Sequence, residues 1–180
     1  RPGLSASKAG APAPQSPPGV PGTYQRGADC NAEQRGGRPV GSVEIAPRLT
    51  LCVSRDGNLA RRSVKRYVAH YVNIIRPAEL DLDPAWLDRV GAALSRSTGW
   101  YFDVGRNDDP EIDTLIGDDL VRSFAVAGTP DECVDLAREA LGLGFTSLSF
   151  NLAAPLRPTL YEGLRETLEG SAEVVSALRR

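Results

Sequence analysis

Two short segments carry small polar groups that could hold a ligand. Between Val43 and Ser54, Leu49, Leu51 and Val53 alternate with Thr50, Cys52 and Ser54. Between Phe145 and Leu152, Thr146, Leu148, Phe150 and Leu152 alternate with Phe145, Ser147, Ser149 and Asn151. In an extended chain successive side chains point to opposite faces, so each segment reads as a strand with an apolar face and a face of small polar groups. Hydroxyl, thiol and amide groups donate and accept hydrogen bonds; their chemistry is holding and orienting. A solvent-washed strand explains the pattern, and so does a barrel strand whose polar face looks into a lumen.

Other residue types capable of chemistry point elsewhere. His70 is the only histidine, beside an apolar helical stripe, and a general base would need a partner and a cleft. A structural or surface role is favoured for it. Cys30, Cys52 and Cys133 lack CxxC spacing, and an odd number without a framework predicts reduced thiols and a cytoplasmic protein. Asp108/Asp109 and Asp118/Asp119 precede helical stretches, which explains paired carboxylates without catalysis. Residues 107–111 lack the glycine and distal glutamate of a calcium loop. The chain has no GxSxG, Walker A, GxGxxG or metal-ligand cluster. No catalytic residue and no metal ligand is assigned.

The elements that must position these groups are mostly helices. Asp56 opens a helix whose apolar residues Ala60, Val64, Tyr67, Val68, Tyr71, Val72 and Ile75 form one stripe, ended by Pro77. A second starts at Asp83-Pro84 and packs through Trp86, Leu87, Val90, Ala93 and Leu94 up to Gly99. Trp100-Tyr101-Phe102 reads as an apolar plug in preference to the mouth of a site. Thr129 and Glu132 have capping-box spacing around Pro130. Cys133, Leu136, Ala137, Ala140 and Leu141 continue that helix, and Gly142 and Gly144 are expected to stop it with positive φ. A last helix shows an apolar face of Leu160, Leu164, Leu168, Val174, Val175 and Leu178. The helix–glycine–strand order favours a parallel sheet.

The ordered set Phe124–Val134 and Gly144–Asn151 resembles the carboxy-terminal end of the luciferase-like monooxygenase family, in particular its deazaflavin-dependent branch, which includes methylenetetrahydromethanopterin reductase. In that family an F-A-I-A-G-T-P-E-E-V-like segment precedes the last barrel helix, and the strand after it closes a (β/α)8 barrel. Residues 36–39 fall where an A-G-R-x-P-like segment precedes the seventh strand. The resemblance implies an α/β fold: the carboxy-terminal portion of a TIM barrel over residues 29–180, mostly helical, with about two parallel strands. It implies part of a flavin- or deazaflavin-dependent oxidoreductase, with coenzyme F420 or alternatively FMN as cofactor and a small-molecule substrate. A truncated, inactive member serving as a structural or dimerisation module is the alternative. Active sites lie at the carboxy-terminal ends of barrel strands. That places Cys52 and Ser54 on one strand, and Ser149 and Asn151 on the other, as cofactor-binding candidates, with Asn151 foremost. Ala153-Ala154-Pro155 stands where the family often has a glycine-containing loop.

Length and composition bound this reading. The 180 residues suffice for one core but not for a whole barrel of about 250 residues. The chain begins at Arg1 and contains no Met, which reads as a fragment or a processed product. Residues 1–28 hold six of the 14 prolines among Gly, Ser and Ala, and read as a disordered leader in preference to a polyproline ligand. Net charge is −2, which gives no case for nucleic acid. The charge is uneven: residues 1–66 have 11 Lys+Arg against 4 Asp+Glu, and the rest 10 against 19. The basic third is either solvated or turned toward an anionic cofactor tail. No apolar run is long enough for a membrane span. Open edges of a part-barrel invite association, which predicts a homodimer.

Overall fold

The computed structural model describes residues 36–37, 39, 46–75, 81–96, 108–143 and 145–179. The leader 1–28, the Trp100–Phe102 cluster, most of the 29–41 turn, Pro77, Gly99 and Gly144 lie outside the described residues. The described chain is mostly helical around a small parallel sheet. Its elements run β1 (Arg48–Val53), α1 (Gly57–Ile75), α2 (Pro84–Arg96), α3 (Pro110–Leu115), α4 (Asp118–Phe124), β2 (Ala125–Gly128), α5 (Pro130–Gly142), β3 (Ser149–Leu152) and α6 (Leu160–Leu178).

Helix starts follow the local chemistry. The Asp56 carboxylate accepts from Leu59 N at 3.1 Å, and Asp83 from Ala85 N at 3.0 Å. Asp109 accepts from Glu111 N and Ile112 N at 3.0 and 3.2 Å, with Pro110 first in the helix, where its missing N–H leaves no gap. The α5 capping box is complete: Thr129 Oγ1 accepts from Glu132 N at 3.3 Å, and Glu132 Oε2 from Thr129 N at 2.7 Å. The helix ends at Gly142, but not by a positive φ; Leu143 closes it in right-handed conformation at φ −74°.

The sheet has three strands in the order β2-β1-β3, all parallel. The two expected strands, β1 and β3, are neighbours although β2 lies between them in sequence; successive strands of a barrel would instead put β3 beside β2, so this order departs from the expected barrel pairing. The third, β2, is the Ala-Val-Ala-Gly stretch before the α5 cap, and it pairs with the other edge of β1 through Thr50↔Ala125 to Val53↔Gly128. Regular pairing of β1 starts after Pro47, which cannot donate to a ladder. The later strand is shorter than expected, Ser149–Leu152: Ser149 N donates to Pro47 O at 3.0 Å, and among the described residues no strand pairs with Phe145–Leu148.

Helices cover both faces of the sheet. Leu49, Leu51, Val53 and Val126 pack against α5 and α6. Cys52, Ala125 and Ala127 pack against the helices α1 to α4. The polar face of β1 therefore does not open into a lumen: Cys52 is fully buried among Ala60, Val64 and Val68. With small residues facing it, α1 lies close against that face.

The last helix departs in part from expectation: Val174 is buried and Leu164 and Leu178 are half-buried as expected. Its buried residues are Gly163, Thr167, Gly170 and Val174, whereas Leu160, Leu168 and Val175 are exposed. A Cβ at Gly170 would lie 2.5 Å from Val53 Cγ1, and one at Gly163 would lie 2.5 Å from Pro155 O. Close approach to the sheet selects the smallest residues; Leu160 and Leu168 are left outside, while Leu164 and Leu178 are half-buried. Leu152, in the outer strand of the sheet among the described residues, is likewise 37% exposed.

Candidate functional site

Where β3 runs out along β1, one face of the strand pair stays partly uncovered. Thr50 pairs with Asn151 in register, and Arg48 stands two residues before Thr50 on the same face. These three line a cavity of about 390 Å³. Ser63 and Tyr67 of α1 form one wall, Ala153 and Ala154 the floor, and Leu152, Leu160 and Leu164 the apolar rim.

The polar groups differ in how far they are satisfied. Ser63 Oγ donates to Leu59 O at 2.6 Å and accepts from Leu156 N at 2.8 Å. Arg48 Nη2 donates to Asn151 Oδ1 at 2.7 Å. Thr50 is 2% exposed, and its Oγ1 has no hydrogen-bond partner among the described residues. A buried hydroxyl without a partner costs about 1–3 kcal/mol, so it marks a place where a ligand group or water would be held.

Of the four candidates read from sequence, Asn151 lines this cavity. Ser149 lies one residue earlier in β3 and is exposed. Ser54 is buried elsewhere, donating to Glu166 Oε1 at 2.7 Å and accepting from Asp56 N at 3.1 Å. Arg157 grips the same carboxylate at 2.6 and 2.9 Å, and this pairing first, then Ser54, holds Glu166 below the usual carboxylate range. Cys52 sits in the core, where burial pushes its thiol far up, with Cys133 adding to the effect. Burial likewise pushes Cys133 up to about 12. Neither thiol is disulfide-bonded, and neither has the thiolate character a nucleophile needs. Arg48 and Thr50 were missed by sequence reading. The signal for Thr50 was its place on the small polar face, but only the register against Asn151 brings it into a site.

A second cavity of about 380 Å³ lies beside the start of α5. Its charges are already matched: Arg61 pairs with Asp118 at 3.3 Å and Glu132 at 3.0 Å, and Arg122 with Glu139 at 3.6 Å. The Thr129 N–H, and after it Arg61, keeps Glu132 below the usual carboxylate range. Lys65 meets Asp113 at 2.8 Å, and Arg62 meets Asp108. The cations of α1 thus face carboxylates of this chain, which accounts for much of the uneven charge. His70 is half-buried with its ring edge-on to Tyr71, centroids 6.2 Å apart. Among the described residues no cluster of three or more His, Cys, Asp or Glu could hold a metal ion. No described helix is long and apolar enough to cross a membrane.

The sequence matches no protein-family profile and no curated protein. Among solved structures it is similar to the coenzyme F420 dependent tetrahydromethanopterin reductase from Methanopyrus kandleri, with a TM-score of 0.62 and 20% identity. The match covers 89% of this chain and 43% of that one. This chain folds like part of that reductase. The likeness is one of fold, and it is the relationship that residues 124–134 and 144–151 led us to expect. The chain spans less than half the length of the reductase.

Proposed function

We propose that this chain is the carboxy-terminal part of a luciferase-like barrel and contributes to a deazaflavin-dependent oxidoreductase, with coenzyme F420 preferred over FMN. The observation that supports it is the fold likeness to an F420-dependent reductase over 89% of the chain. The cavity fits the ring of such a coenzyme in kind. A volume of about 390 Å³ is within the usual range of ligand sites. Its rim is apolar, and the unpartnered Thr50 hydroxyl and the Asn151 amide stand on one wall. The coenzyme when bound supplies hydride chemistry; the residues here bind and orient it. A small-molecule substrate and a cytoplasmic location go with this reading, and so does one unit over residues 29–180.

The test is titration with oxidised coenzyme F420, followed by its fluorescence, with FMN in parallel. Saturable binding is expected, weakened roughly 5- to 150-fold by Asn151→Leu, the loss of one buried hydrogen bond. Because the chain spans 43% of the reductase, its affinity alone should be low. No saturable response to either coenzyme would favour the second reading, an inactive structural or dimerisation module. The exposed Leu160, Leu168 and Val175 of α6, and the place of β3 as the outer strand of the sheet among the described residues, support that alternative.

A further inference from the structure

We infer that the cavity between β1, β3 and α1 selects an organic anion with a flat apolar body, and that Arg48 and Thr50 are its specificity-determining residues. The inference concerns the same cavity as the proposed function, but it does not depend on which coenzyme, if any, the cavity takes.

Three observations carry it. First, the Thr50 hydroxyl is 2% exposed, lines the cavity and has no partner among the described residues. Secondary-structure pairing does not explain a hydroxyl there, since valine has nearly the same shape and favours strands at least as well. Second, its neighbours on the wall can supply donors. Arg48 is a permanent cation whose Nη2 reaches Asn151 Oδ1 at 2.7 Å, and Asn151 keeps its amide NH2 for a further partner. Third, the rest of the lining is mainly apolar, Leu152, Ala153, Ala154, Leu160 and Leu164, beside Tyr67 and a Ser63 hydroxyl already engaged with Leu59 O and Leu156 N. No carboxylate lines the cavity, in contrast to the second cavity, where four carboxylates face two guanidiniums. A wall of a cation, a hydroxyl and an amide matches an acceptor-rich, negatively charged edge such as a carboxylate, phosphate or sulfonate. The apolar rim matches the remainder of the molecule. Arg48 is exposed and held only at its tip, so it can turn from Asn151 to an incoming anion without disturbing the core.

The experiment compares two fluorescent probes of similar shape, anilinonaphthalene sulfonate and the uncharged N-phenyl-naphthylamine. They are titrated into the full chain and into the variants Arg48→Gln and Thr50→Val. Arg48→Gln should weaken the sulfonate roughly tenfold or more, as expected for loss of a charge-assisted bond, and leave the neutral probe unchanged. Thr50→Val should raise the thermal midpoint, because it removes a buried hydroxyl that has no partner, and yet weaken the sulfonate several-fold. That opposed pair of effects is not expected of a purely structural threonine. Sulfonate binding that ignores Arg48→Gln would place the probe elsewhere, for instance on the exposed leucines of α6, and would overturn the inference. A Thr50→Val variant with a lowered midpoint, or with unchanged sulfonate binding, would also overturn it. Sulfonate selectivity together with no response to coenzyme F420 would sustain this inference while removing the proposed function.

Discussion

Helices α5 and α6 begin alike and pack in opposite ways. Each opens with a Thr-x-x-Glu capping box: Thr129 with Glu132, and Thr159 with Glu162 at 3.2 and 3.1 Å. Both lie on the same face of the sheet. Helix α5 buries its larger apolar residues, Cys133, Val134 and Leu136, among the sheet's Leu51, Val53 and Val126. Helix α6 buries Gly163, Thr167, Gly170 and Val174, half-buries Leu164 and Leu178, and leaves Leu160 and Leu168 exposed. One helix stands off on its side chains, and the other touches the sheet with its backbone. Thr167 uses that closeness: its Oγ1 accepts from Val53 N at 3.3 Å and donates to Ala153 O at 2.8 Å. It thereby joins the ends of β1 and β3 just beyond the candidate cavity.

The sharpest way to break this comparison is a matched pair of truncations. Leu136, 7% exposed, should cost about 2–5 kcal/mol on replacement by Ala. Leu168, 53% exposed, should change stability by no more than about 0.5 kcal/mol. Urea midpoints of the two variants measure both, and equal losses would mean the packing of α6 is misread.

Glycine gives the next contrast. Gly170→Ala drives a methyl to 2.5 Å from Val53 Cγ1, against a stiff, buried, β-branched side chain. Overpacking of that kind costs about 1–3 kcal/mol, partly offset by roughly 1 kcal/mol of helix propensity. Gly142→Ala in α5 meets nothing within 4 Å and no positive φ, so it should stabilise by a few tenths of a kcal/mol. Opposite signs in thermal denaturation are the expected result.

These contrasts also mark what could be read in the sequence. Caps could be read, because Thr129, Asp56, Asp83 and Asp109 act on backbone groups two to four residues away. The start of β1 after Pro47 was legible for the same reason. The face of α6 was legible only in part, at Val174, Leu164 and Leu178: periodicity selects large apolar residues, whereas the burial of Gly163, Thr167 and Gly170 depends on how near the helix comes to the sheet. The α6 capping box was in plain view as Thr159-x-x-Glu162 and went unread. Strand β2 was hidden because Ala-Val-Ala-Gly has no alternation and exists as a strand only beside β1. At the candidate cavity, the place of Asn151 was legible from its strand. Thr50 required the register, and Arg48 required its contact with Asn151.

Replacing either cap threonine tests what the two helices share. Thr129→Ala and Thr159→Ala should each cost about 1 kcal/mol, the usual loss of an N-cap side chain. Chemical denaturation of the two variants is sufficient, and no change in one of them would mean that helix starts elsewhere.

The smallest effect expected separates the two helices by pH. In α6, Glu166 is held below the ordinary carboxylate range first by Arg157 and then by Ser54. In α5, Glu132 is held low first by the Thr129 N–H, and its side chain is 46% exposed against 24% for Glu166. A carboxyl with a depressed folded pKa binds fewer protons when folded than when unfolded. Its stabilisation is therefore fully present above the unfolded value, about 4.3 for Glu, and is lost as pH falls through the folded value. Arg157 is 37% exposed, so screening limits the Glu166 contribution to about 1 kcal/mol or less, and that of Glu132 to less still. Unfolding midpoints measured from pH 7 down to the acid limb should show a loss with falling pH that Glu166→Gln partly flattens. Glu132→Gln should flatten it less. If the glutamine at 132 has the larger effect, the Ser54–Glu166–Arg157 link contributes less to holding α6 on the sheet than the capping box contributes to α5.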